Sequence, residues 1–173
     1  MEEKFVEMLN EPKNTLGRTE EVVQLVLDDN SRIEELYKCY FQSDEWVRLR
    51  TSSSFKRIWR KAPELVLPYI EGLVDDVSSI EQPSVNWTFA QFCLEMEDYL
   101  NEEQKKNSIK TLKRYLKNSD DWIVQNSTIE TLGTWSLENK KLSKWLIPKL
   151  ESFVFSDKKS VAKRAKKWLI SLK

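Results

Sequence analysis

The residues that most often carry catalysis are scarce in this chain, and histidine is absent. Without histidine the sequence has no Ser-His-Asp or Cys-His nucleophile and no histidine-ligated zinc, so any catalysis would depend on carboxylates, Lys, Tyr or Ser. The two cysteines, Cys39 and Cys93, lie far apart inside apolar helical patterns and lack the paired spacing of metal ligands. We expect two buried thiols, no metal, no cofactor and no enzyme activity.

Three pairs of adjacent carboxylates have the chemistry to hold a cation or transfer a proton: Asp28-Asp29, Asp75-Asp76 and Asp120-Asp121. Each pair stands where a helical pattern begins or ends. That placement is typical of turn and helix-capping residues, so we interpret the pairs as architectural.

A basic cluster in residues 46–61 contains no acid and has the charge to bind phosphate groups. Its candidate contact residues are Arg48, Arg50, Lys56, Arg57, Trp59, Arg60 and Lys61. We expect Trp59 to be exposed, because it follows the apolar position Ile58. The alternative is structural: Arg48 pairs with an acid such as Asp44, and the other cations keep a helix soluble.

Charge is uneven along the chain, although the 28 basic and 28 acidic residues balance. Residues 1–45 carry a net charge of −7 and residues 62–139 carry −8, whereas residues 140–173 hold 11 bases and 2 acids. Such asymmetry indicates an anionic partner, or contact between the acidic part of one copy and the basic end of another. The basic patch at 158–173 is predicted to be an amphipathic helix. Its lysine face either ends the fold or binds nucleic acid, an acidic protein or an anionic membrane surface.

Four helical apolar stripes recur at intervals of 37 to 39 residues. Each stripe follows a polar break and continues at i+4, i+7, i+8 and i+11, which is one face of an α-helix. The stripes begin at Val47, Val85, Val124 and Val161. Trp135 and Trp168 lie on these stripes, so we expect them in the core.

A second helical segment follows each of the first three stripes, which makes a period of helix pairs. Such pairs bury their stripes by stacking on neighbouring pairs. The sequence therefore predicts an all-α fold, an α-α superhelix of about four and a half helix pairs. We predict one domain over 1–173, with pairs at roughly 15–43, 44–80, 81–118 and 119–156 and a capping helix at 157–173.

Local signals refine this prediction. Asn101 with Gln104, and Ser31 with Glu34, have the spacing of helix-capping boxes. The stretch 11–19 is predicted to be a loop. No apolar run approaches the roughly 18 residues of a membrane span, and the acidic start lacks the features of a signal peptide, so we expect a cytoplasmic protein.

This pattern resembles HEAT repeats. The resemblance rests on the acidic turn and helix start EWVRLRTSSSFKRI (45–58) and on the Leu-Pro helix in LVLPYIEGLVDD (65–76), and it covers roughly residues 19–173. The order of motifs is also similar to small bacterial HEAT-like proteins, whose usual Trp-His pair is Trp87-Thr88 here. The resemblance implies a non-catalytic scaffold that binds a protein through a concave row of second helices. We expect contacts at Tyr69, Arg114 and Lys149.

A more distant resemblance is to the HEAT-like DNA-alkylation-repair glycosylases, which use aromatic residues and an Asp in a basic cleft to excise alkylated bases. It implies Trp122 and Asp121 at the base and Arg48 and Arg50 at the phosphates. These residues do not fall in the helix context that the glycosylases use. The alternative function is therefore nucleic-acid binding through residues 48–61 and 158–173.

Overall fold

The computed structural model describes residues 4–12 and 16–173, and every regular element in those ranges is helical. This confirms the predicted all-α class. Part of the predicted loop at 11–19, residues 13–15, lies outside the described residues. Among the described residues no helix is long and apolar enough to cross a membrane. The α-helices are α1 Phe5–Asn10, α2 Thr19–Asp28, α3 Ile33–Lys38, α4 Glu45–Lys61, α5 Pro63–Val66, α6 Ile70–Asp75, α7 Pro83–Glu95, α8 Glu102–Asn118, α9 Trp122–Ser136, α10 Lys140–Phe153 and α11 Lys159–Leu172.

The chain divides into two compact units, residues 1–88 and 89–173, and the division falls inside α7. The first unit contains α1 to α6 and the start of α7. The second unit contains the end of α7 and α8 to α11. The single domain and the superhelix of the sequence analysis stay predictions.

The four predicted stripes are buried as the period of the sequence requires. On α4, for example, Val47, Thr51, Ser54, Phe55 and Ile58 are all buried. The equivalent positions of α7 and α9 are buried as well. On α11 the stripe is buried down to Trp168 and half-buried at its last two positions, because the helix ends there.

Two aspartates, Asp44 and Asp121, cap the starts of helices. The Asp44 carboxylate accepts hydrogen bonds from the backbone N–H groups of Trp46 (2.8 Å) and Val47 (3.1 Å) at the start of α4. Asp121 does the same for Ile123 and Val124 at the start of α9. Each aspartate satisfies donors that the first helical turn leaves without intrahelical partners.

One of the predicted second helices of the first unit is not a continuous α-helix. The segment 63–76 is α5, a 3₁₀ turn at Leu67–Tyr69, and α6. Pro68 has no N–H to continue the α-helical hydrogen bonds, which favours the tighter turn.

The predicted capping box at Ser31 is wrong. The Asp29 carboxylate instead caps the helical turn Asn30–Arg32, because it accepts a hydrogen bond from the Ser31 N–H at 3.1 Å.

In the second unit, the Glu130 carboxylate on α9 forms hydrogen bonds with three side chains of α11. Glu130 accepts hydrogen bonds from Arg164, from the Lys167 ammonium (3.0 Å) and from the Trp168 indole N–H (2.8 Å). The Trp168 ring lies directly over Gly133, where a Cβ would come within 2.3 Å of it. Burial raises the pKa of Glu130, but the three donors outweigh burial and hold that pKa below its usual range.

We expect Glu130→Gln to lower the free energy of unfolding by about 1–3 kcal/mol, because it removes charge-assisted hydrogen bonds from a largely buried group. Since the pKa of Glu130 is lowered by folding, its contribution is present above the unfolded pKa of about 4.3 and is lost as pH falls through the folded value. Urea unfolding of both proteins between pH 7 and pH 3 measures this difference.

Glu151→Gln is the matched control, because Glu151 pairs with Lys173 at 2.7 Å where both side chains are about half exposed. That variant is expected to change the unfolding free energy by less than about 1 kcal/mol. Equal effects of the two substitutions would contradict the role assigned to Glu130.

Candidate functional site

Helix α8 presents a row of lysines on the side opposite its buried face. The helix begins at the predicted capping box, which is confirmed: Asn101 accepts from the Gln104 N–H (2.8 Å) and Gln104 accepts from the Asn101 N–H (3.0 Å). The buried positions are Ser108, Leu112, Tyr115 and Leu116. The lysine row follows at i, i+4, i+7 and i+11 and therefore shares another face: Lys106, Lys110, Lys113 and Lys117.

Helix α10 presents a second basic row. Its buried residues are Leu142, Leu146 and Leu150, spaced four apart. The residue before each leucine is turned by about 100° away from it, since one turn contains 3.6 residues. These preceding residues are Lys141, Trp145 and Lys149; both lysines are exposed and the tryptophan is half-buried.

The two rows meet at Trp145. The Lys113 ammonium lies 4.5 Å from the centre of the indole ring, and the Lys149 ammonium lies 5.9 Å from it. A cation over an aromatic ring is attracted to the negative face of the ring. Burial, and then the charge of Lys141, lower the pKa of Lys113.

We call these seven residues the lysine–tryptophan surface: Lys106, Lys110, Lys113, Lys117, Lys141, Trp145 and Lys149. Within residues 4–12 and 16–173, no carboxylate forms an ion pair with any of its six lysines. Other lysines of the same unit do have such partners, for example Lys105 with Glu97 at 2.5 Å. The surface therefore carries positive charge that the described part of the chain does not compensate.

Several basic side chains of α4, unlike the lysines of that surface, have hydrogen-bond or ion-pair partners within the first unit. Arg50 is fully buried and donates to the backbone carbonyls of Leu9 (2.8 Å) and Pro12 (2.5 Å). Burial lowers its pKa. Gly17 has a positive φ of 51°, and a Cβ there would come within 2.6 Å of the Arg50 guanidinium, so the buried cation requires a glycine.

The other candidates on α4 also have structural partners. Arg57 pairs with Glu20, and Arg48 donates to the Gln42 carbonyl (2.6 Å) and the Gln82 side chain (3.3 Å). The predicted pairing of Arg48 with Asp44 is not what these hydrogen bonds show, because the Asp44 carboxylate caps α4. Three further residues of the cluster, Lys56, Trp59 and Arg60, also interact with other groups of the chain.

The expectation that Trp59 is exposed is wrong, since only 8% of it is accessible. The buried face of helix α4 is wider than the predicted stripe. It includes Arg50 and Ser52 as well as the predicted positions. A residue next to the stripe is then covered too. Arg60 is exposed at the end of the same helix.

The three contact positions expected on second helices fall in different places. Lys149 belongs to the lysine–tryptophan surface. Arg114 is exposed next to Lys113, with its guanidinium 5.6 Å from the Tyr115 ring. Tyr69 is half-buried in the first unit, where its hydroxyl donates to the Glu34 carboxylate at 3.0 Å.

Sequence reasoning missed Lys113 and Trp145, although a signal was present. The lysine spacing of 4, 3 and 4 residues in 106–117 and the spacing of 4 in 141–149 each place a basic row on one helix face. The sequence did not indicate that the two rows come together, since that depends on tertiary packing.

Groups suited to covalent or metal chemistry are not assembled in the described part of the chain. Cys39 and Cys93 are buried free thiols, as predicted, and burial raises the pKa of each to about 12. Residues 4–12 and 16–173 contain no cluster of three or more metal-binding side chains. Asp121, the candidate of the glycosylase resemblance, has its carboxylate engaged as a helix cap, while Trp122 beside it is 50% exposed.

Comparison with known proteins adds no family: neither a scan against models of protein families nor a search of curated proteins found a match.

We expect Arg50→Leu to destabilise the chain by about 2–4 kcal/mol, because it leaves the backbone carbonyls of Leu9 and Pro12 without their charged donor. Lys61→Leu, at the exposed last residue of the same helix, is the control and is expected to cost less than about 0.5 kcal/mol. Midpoints of thermal or urea unfolding compare the two. A stability effect at Lys61 as large as that at Arg50 would contradict the structural assignment of Arg50.

Proposed function

We propose that this chain is a non-catalytic interaction module that binds an acidic protein segment through the lysine–tryptophan surface. The observation that carries the proposal is the absence of ion-pair partners for its six lysines in the described part of the chain. Unpaired surface cations attract an anionic partner and accelerate its encounter. A partner carboxylate would gain an ion pair that residues 4–12 and 16–173 do not already supply.

The module, in this proposal, is a HEAT-like α-α superhelix of about four and a half helix pairs. The support is the four stripes at intervals of 37 to 39 residues and the equivalent aspartate caps at Asp44 and Asp121. In such a superhelix the second helices of successive pairs line the concave side. Helices α8 and α10 are second helices in the predicted period, and they carry the lysine–tryptophan surface.

An acidic protein fits this surface better than a nucleic acid does. Single-stranded nucleic acid binds by stacking its bases on free aromatic faces, whereas Trp145 already has two ammonium groups near its ring. The arginines that suit bidentate phosphate contacts, Arg50 and Arg57, have partners in the folded chain. A flexible glutamate-rich segment needs only point charges, which lysines provide.

The test is a binding titration with a glutamate-rich peptide of about 20 residues at about 50 mM salt, where exposed charges are weakly screened. We expect measurable binding that weakens as salt is raised. The double variant Lys113→Glu, Lys149→Glu is expected to lower affinity by at least about tenfold, because it replaces two attractions by repulsions.

The matched control is Lys163→Glu, Lys166→Glu on α11, which changes the net charge equally at two exposed lysines of the same unit. It is expected to weaken binding by less than about threefold. Single-stranded and duplex DNA of equal charge form a comparison. An equal loss in both double variants, or tighter binding of DNA that also depends on Lys113 and Lys149, would overturn the proposal.

A further inference from the structure

The two units carry opposite charge. Residues 1–88 contain 17 acidic and 11 basic residues, whereas residues 89–173 contain 11 acidic and 17 basic residues. The lysine–tryptophan surface belongs to the basic unit. Every copy of the chain therefore carries an acidic first unit as well as this basic surface.

The first unit has a cavity whose walls combine tyrosines with carboxylates. It has a volume of about 390 Å³ and is lined by Tyr37, Pro68, Tyr69, Glu71, Gly72, Asp75 and Asp76. The acidic residues are exposed at its rim. We call this site the tyrosine–carboxylate pocket.

The two tyrosines of the pocket are held in place by their surroundings. Their ring centres are 4.8 Å apart with an interplanar angle of 44°. The Tyr69 hydroxyl donates to Glu34 at 3.0 Å, and the Tyr37 hydroxyl lies over Gly72, where a Cβ would come within 2.0 Å of it. Both rings also contact Phe55, at 6.2 Å and 5.9 Å. The aromatic wall is therefore formed before any ligand arrives.

The charge of the pocket is negative and not compensated. Glu71, Asp75 and Asp76 have no ion-pair partner among residues 4–12 and 16–173. The adjacent cation, Lys38, pairs with Glu34 at 3.3 Å instead. Burial raises the pKa of Tyr37, and the negative charges of Asp76 and Glu34 raise it further.

We propose that the tyrosine–carboxylate pocket binds the lysine–tryptophan surface of a second copy of this chain. Tyrosine faces flanked by carboxylates attract an ammonium group through cation–π and ion-pair interactions together. The lysines of the second copy supply ammonium groups that no carboxylate in the described part of their own chain pairs with. This inference rests on the proposed function, because it names the acidic partner of the same surface.

The contact is heterologous, since two different surfaces of the chain meet. Each copy keeps one free surface of each kind, so association continues from copy to copy until a ring closes or a filament grows. Such assembly is expected to increase with protein concentration and to dissociate in high salt.

The experiment is sedimentation velocity on the full chain from about 1 to about 100 µM, at about 50 mM and about 500 mM salt. Two charge-reversal variants are prepared: Glu71→Lys, Asp75→Lys in the pocket and Lys113→Glu, Lys149→Glu on the lysine–tryptophan surface. The wild-type chain is expected to associate at low salt, and each variant alone is expected to stay monomeric. Mixing the two variants is expected to restore association, because the intact pocket of one meets the intact lysines of the other.

The neutral pair Glu71→Gln, Asp75→Asn is a milder variant that keeps the test decisive if charge reversal disturbs folding, and it is expected to weaken association at least about threefold. A monomeric wild-type chain, association that survives in either reversed variant, or no recovery on mixing would overturn the inference. If the wild-type chain is monomeric but binds the glutamate-rich peptide through Lys113 and Lys149, this inference fails and the proposed function stands. If neither event occurs, both fail.

Discussion

The burial of one apolar stripe on each long helix is the constraint on which the rest of the structure depends. On α10 the leucines at 142, 146 and 150 must face the core. Helical geometry then turns the preceding residues, Lys141, Trp145 and Lys149, onto another face. The same reasoning fixes the lysine row of α8. The charged surfaces are thus a direct consequence of which residues the core requires, and their positions follow from the period of the stripes.

Residue type alone overstates the chemistry available in this chain. The aspartates at 44 and 121 look like candidates for catalysis, but their carboxylates satisfy backbone donors at helix starts. Arg50 looks like a phosphate ligand, but it is buried against backbone carbonyls. Glu130 holds α11 on α9. Groups that fold the chain have partners, so candidates for binding are charges that lack a carboxylate partner among the described residues, such as Lys113.

Features that depend on helical periodicity could be predicted from the sequence, whereas features that depend on packing between helices could not. The stripes, the aspartate helix starts, the Asn101–Gln104 capping box and the buried cysteines follow from local spacing. The burial of Trp59 does not, because neighbouring elements cover α4 beyond its stripe. The contact between Lys113 and Trp145 joins residues 32 positions apart on two helices, which spacing within either helix cannot show. Pro68 interrupts its helix, whereas Pro148 lies within a continuous α10, a difference that the sequence did not predict.

The lysine–tryptophan surface carries positive charge that no carboxylate in the described part of the chain pairs with. The pKa of the Lys113 ammonium tests this claim most directly, measured by NMR titration of lysine side-chain resonances and assigned with Lys113→Arg. We expect a pKa below the ordinary lysine value of about 10.4, since burial and Lys141 both disfavour the charged form, and a rise when the glutamate-rich peptide binds. A pKa clearly above the ordinary value in the free chain would show that a carboxylate lies beside this lysine, and the surface would then not be uncompensated.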